Sequence, residues 1–137
     1  WLLSLSGFLF LSLAHLKRHA ELVRLPDLAS VPPEASGMMG RGYWAGDLPW
    51  IMSSGVASGL LSVLVLVLYL NGPEVRVLYA HPDRLWLVFP LALYAVGRLW
   101  LLGSRGVLPG DPVVFVLKDR VSWILLCAAA LVVIWAR

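Results

Sequence analysis

The chain has 137 residues, 60% of them hydrophobic and 14% charged, with a formal net charge of +3 and a mean hydropathy of +0.82. That leaves too little polar surface to cover a soluble domain of this length, so a bilayer is the expected solvent. The basic balance follows from insertion rules that gather Lys and Arg at helix ends, and no nucleic-acid partner is expected.

Trp1 opens directly into an apolar run that reaches Ala14, with no basic leader before it and no small-residue cleavage site after it. It reads as a helix continuing to Arg24 rather than a signal peptide, and the chain reads as an excerpt of a longer parent. Pro26, Pro32 and Pro33 stop that helix, and a loop follows from Leu25 to Asp47. Within the loop, Gly37-Met38-Met39-Gly40-Arg41-Gly42 lacks the strand and helix context of a nucleotide-binding turn, and reads as a flexible loop or a lid.

A second helix is expected from Leu48 to Leu70, closed by Asn71-Gly72-Pro73. Its Ser54, Gly55, Ser58, Gly59 and Ser62 place small residues along one close-packing face. After a loop to Arg84, a third helix is expected from Leu85 to Gly103, and a further loop runs from Ser104 to Pro112. Asp111-Pro112, an N-cap followed by proline at the first helical position, starts a last helix that reaches Ala136. Lys118, Asp119 and Arg120 then fall about two turns inside it.

The expected fold is therefore all-α: a polytopic bundle of four helices, each crossing roughly 30 Å of hydrocarbon. Trp44, Trp50, Trp86 and Trp135 suit the aromatic belts at its interfaces. Cys127 lies in an apolar run without a disulfide partner and acts as a small hydrophobe. Four crossings put Lys17, Arg18, Arg24, Arg41, Arg98, Arg105, Lys118 and Arg120 toward one side, and leave Arg76, Arg84 and Arg137 on the other. That bias makes the first side cytoplasmic.

Two clusters carry possible chemistry. Lys17, Glu21 and Arg24 share a face at the end of the first helix, with Arg18 beside it. Such a face either snorkels to headgroups or holds a phosphate group, with Glu21 orienting the cations or binding a metal ion. The second cluster is Arg98 with Lys118, Asp119 and Arg120. Ionisable groups at that depth demand partners, so Arg98 either pairs with Asp119 or lines a diphosphate cavity with Lys118 and Arg120. His15, His19 and His81 show no metal-ligand spacing, and no nucleophile triad is present.

In order and type, Lys17-Arg18-His19-Ala20-Glu21-Leu22, then Arg98, then Asp111-Pro112 and Leu117-Lys118-Asp119-Arg120-Val121 resemble the C-terminal half of UbiA-superfamily membrane prenyltransferases. The most similar branch is the one that contains decaprenyl-phosphate phosphoribosyltransferase. The resemblance spans nearly the whole chain and implies the last four helices of a nine-helix bundle in a bacterial inner membrane. It further implies a cytoplasm-facing site where Mg2+ helps to hold a prenyl or phosphoribosyl diphosphate donor, beside a lipid-borne polyprenyl chain.

By this resemblance Lys17, Arg18 and Glu21 are catalytic, with Glu21 as a magnesium ligand whose companions lie outside the chain. Arg98, Lys118, Asp119 and Arg120 bind substrate. Where many relatives carry an aspartate-rich second motif this sequence is basic, which favours a phosphoribosyl-type or otherwise diverged donor. The excerpt alone is expected to be inactive. The alternative is a non-enzymatic transporter segment or assembly subunit whose buried charges only neutralise one another.

Overall fold

In a bilayer every backbone N–H and C=O needs an internal partner, and apolar runs of this length meet that demand as helices. The computed structural model describes residues 1–24, 45–108 and 110–137. Helix α1 spans Leu2–Val23 and α2 spans Leu48–Leu70, the latter entered through a 3-10 turn at Ala45–Asp47. Short α3 (Pro73–Leu78) and a 3-10 turn (Pro82–Leu87) lead into α4 (Val88–Ser104). Helices α5 (Pro112–Lys118) and α6 (Arg120–Ala136) complete the chain. Among the described residues there is no strand. The expected Gly37 to Gly42 loop and Trp44 lie outside the described residues.

Three expectations are corrected. The Asn71 to Arg84 connection is not a plain loop, because Pro73 and Pro82 each sit at a first helical position and start a short helical turn. The last helix is not continuous: it breaks at Asp119, whose backbone is extended (φ −83°, ψ 121°), and the two pieces meet at a 77° bend. An aspartate competes poorly inside a helix and well at its start, and here its carboxylate caps Ser122 N–H.

The count of crossings also changes. Among the described residues two helical stretches, Leu48–Leu70 and Pro82–Ser104, are long and apolar enough to cross a membrane, and the bent α5–α6 pair makes a third if it is one span. The purely apolar part of α1, Leu2 to Ala14, rises only about 20 Å before the charges begin.

The α1–α2 seam is the tightest packing. Ser12 Oγ donates to the Gly55 carbonyl at 2.7 Å, and Trp100 Nε1 of α4 donates to Ser12 Oγ at 3.0 Å. A Cβ on Gly59 would stand 2.6 Å from Val96 and 2.9 Å from Ser12 Oγ, and one on Gly55 would enter the Trp100 ring. Between lipid-solvated helices it is such close approach that supplies attraction, since tails are as apolar as leucine. Leu16, Ala20, Val63, Val96, Trp100 and Leu108 form the buried core around this seam.

Antiparallel α1 and α2, with α4 beside both, leave two distinct ends. At one end the 3-10 turn before α4 meets the end of α6. There His81 N–H donates to the Ala136 carbonyl at 3.0 Å, and the Arg84 guanidinium lies 4.2 Å from the Trp135 ring centroid. The other end gathers the last turns of α1 and α4 with the start of α6.

Candidate functional site

The last turns of α1 hold the first cluster. Arg18 Nη1 lies 2.7 Å from Glu21 Oε2, an i,i+3 pair on one helical face. Glu21 is thus paired with Arg18 on the helix surface. Lys17 instead reaches out of the helix, its Nζ 3.0 Å from Asp111 Oδ2 across 94 residues of sequence. About two turns further on, Arg24 donates to the Leu108 carbonyl. These two ties strap the loop after α4 onto α1.

Asp111 serves two donors at once, Lys17 and the Val113 N–H at 2.9 Å. Hydrogen bonding from Lys17, and then from Val113, holds its carboxyl below the usual aspartate value. Gly106 (φ +68°) and Gly110 (φ +125°) take the left-handed conformations that let this loop turn back toward α5.

The second cluster is built on the helix break. Arg98 Nη1 and Nη2 meet Asp119 Oδ2 and Oδ1 at 2.7 and 3.1 Å, a two-point fork that fixes both side chains. Asp119 Oδ2 also accepts from Ser122 N–H and Ser122 Oγ, each at 2.8 Å. Beside this pair opens a cavity of about 300 Å³ between α1, α4, α5 and α6, lined by Leu9, Leu13, Ala95, Val116, Arg98 and Ser122 among others. Its remaining walls are aliphatic. Arg98 thus pairs with Asp119, the first of the two arrangements open in the sequence, and the cavity it lines is not the expected one shared with Lys118 and Arg120.

Lys118 and Arg120 are placed differently. Both are exposed, and among the described residues neither has a hydrogen-bond or ion-pair partner. They flank Asp119 in sequence, and neither lines the cavity.

Among the described residues no three His, Cys, Asp or Glu side chains gather as a metal site. With Glu21 engaged by Arg18 and Asp111 by Lys17, the α1 cluster does not by itself fit a magnesium ion. What it can do is neutralise anionic oxygen: Lys17, Arg18 and Arg24 stand within two turns of one another, all three tied to acceptors that a stronger anion could replace.

Sequence reasoning did not find the buried polar line Ser12–Trp100 or the burial of His19. The His19 ring packs edge-on to Trp100 at 6.0 Å, and its Nδ1 has no partner among the described residues. Only the Ser12 position, facing Gly55 across small residues, carried a signal for the first.

No protein-family model matches the chain, and no solved structure matches it. The chain is 39% identical over 125 residues to a protein of Sinorhizobium fredii (strain NBRC 101917 / NGR234) named "Uncharacterized protein y4nM". The match covers 90% of this chain and 23% of that protein, so the chain spans about a quarter of its relative's length.

Proposed function

We propose that the chain is the C-terminal part of a UbiA-type transferase of a bacterial inner membrane. It would move a phosphoribosyl or prenyl group from a diphosphate donor to an acceptor at the cytoplasmic face. The observation that carries this reading is the Lys17–Asp111 contact, which joins the two stretches on which the resemblance rests at one end of the bundle. The bacterial relative of greater length agrees with a site completed by residues beyond this chain.

In the reaction, the bond from the donor's C1 to diphosphate oxygen breaks and an acceptor oxygen bonds to C1. The leaving diphosphate carries away the electron pair. Lys17 and Arg18 would compensate its growing charge, and Glu21 would keep Arg18 in place. Arg98, held by Asp119, would meet phosphate oxygens beside the apolar cavity, whose lining includes neither Lys118 nor Arg120. The aliphatic walls suit a hydrocarbon chain. Magnesium, which would shield the diphosphate, takes its carboxylates chiefly from outside the chain in this reading.

One observation favours a non-enzymatic membrane subunit: the Arg98–Asp119 fork already neutralises both charges without a ligand. The test is transfer itself. Membranes containing the full-length protein should move radiolabel from phosphoribosyl diphosphate into polyprenyl phosphate, or from a prenyl diphosphate into a polar acceptor. Label that never leaves either donor overturns the enzyme reading.

A further inference from the structure

The bend between α5 and α6 has an outer surface that the transfer reaction does not use. On α5, Val113, Val114 and Leu117 recur at helical spacing on one face and are all exposed, Leu117 at 61%. Lys118 continues that face one turn after Val114, and Arg120 opens α6 immediately beyond the break. The half-exposed Trp123 closes the patch, its indole Nε1 donating to the Leu117 carbonyl at 2.9 Å. The bend is thus pinned twice, by Trp123 on the outside and by the Arg98–Asp119 fork on the inside.

A 77° bend has a geometric consequence. With α6 standing across the bilayer, α5 lies close to the membrane plane, at the level where the span begins. An in-plane helix at that level immerses its apolar face in the acyl boundary while its cations stay among headgroups. Tryptophan prefers the same depth, and lysine and arginine stems reach from it to phosphate. Apolar face, indole and two unpaired cations therefore match a single partner.

We propose that the α5–α6 elbow is a headgroup-level membrane anchor that binds anionic phospholipid, with Val113, Val114 and Leu117 immersed and Lys118 and Arg120 on lipid phosphates. This surface is independent of the transferase reading and stands or falls without turnover. Each cation near an anionic leaflet adds attraction that neutral lipid cannot supply.

The experiment uses the full-length protein with native cysteines replaced and a nitroxide on Val114→Cys or Leu117→Cys. It is reconstituted in phosphatidylcholine bilayers with and without phosphatidylglycerol, and label depth is read from oxygen against nickel-chelate accessibility. Both labels should sit at one shallow depth, well above a label on Leu126→Cys, and should move inward when phosphatidylglycerol is added. In a Lys118→Gln, Arg120→Gln variant that inward movement should be lost while the shallow depth remains. Water-exposed labels, labels spaced in depth as along one continuous span, or an unchanged response in the variant would overturn the proposal. So would the same shift produced by inorganic diphosphate in neutral bilayers.

Discussion

Lys17 Nζ and Asp111 Oδ2 stand 3.0 Å apart, although 94 residues separate them. The contact docks the N-cap of α5 onto the charged end of α1, so the loop after α4 cannot move without breaking an ion pair and a cap together. Both side chains are substantially exposed, so the pair contributes position more than stability.

Its pH dependence follows from the direction of the Asp111 shift. A carboxyl whose folded pKa lies below its unfolded value contributes stability above the unfolded pKa and loses it as pH falls through the folded one. The Asp111 carboxyl carbon, followed by NMR in detergent, should titrate below the ordinary 3.8, and Lys17→Gln should move the midpoint upward toward it. An unmoved midpoint would remove Lys17 as the principal cause.

The glycine seam makes a contrasting pair of predictions. Gly55→Ala places a methyl group in the Trp100 ring and against His15, and should destabilise by about 2 kcal/mol through overpacking. Gly7→Ala meets nothing within 4 Å and, in mid-helix, should stabilise by about 0.5 kcal/mol. Thermal unfolding in one detergent measures both. Equal effects at the two positions would mean that α1 and α2 do not pack through Gly55.

For Arg98 and Asp119, removing either partner leaves an unmatched charge near hydrocarbon and should cost on the order of 3 kcal/mol. Arg98→Leu with Asp119→Leu should recover most of that stability, since two apolar groups suit the site better than one orphaned ion. On the transferase reading the double variant folds and stays inactive. A double variant with normal turnover would take both residues out of the site.

Sidedness is the next expectation. Cysteines placed at Ser104 and at Asp83 should label from opposite faces of intact cells, Ser104 from the cytoplasmic face, as the eight-to-three distribution of basic residues requires. Labelling of Ser104→Cys only from outside would invert the site's orientation.

How much was legible in the sequence depended on distance along the chain. The Asp111-Pro112 start of α5 and the Asn71-Gly72-Pro73 close of α2 rest on neighbouring residues, and both lie where local rules put them. Gly55 and Gly59 announced a seam, yet Trp100 as its occupant lies on another helix and carries no sign of its partner. Arg98 and Asp119 could be matched because two opposite charges in apolar surroundings need each other. The break at Asp119 was hidden because apolar residues run on both sides of it, and the cap that makes it gains its second partner from α4. Lys17 meeting Asp111 is a tertiary fact with no local trace.

If the charged end of α1 holds a diphosphate, donor titration of the full-length protein carrying Lys17→Ala or Arg18→Ala reads it out. Monodispersity and thermal unfolding are followed alongside. The expected result is a loss of at least tenfold in kcat/KM for the diphosphate donor with folding nearly unchanged, because an exposed helix-end cation gives little to stability and much to phosphate. Unchanged kcat/KM, or activity and folded protein falling together, would contradict it.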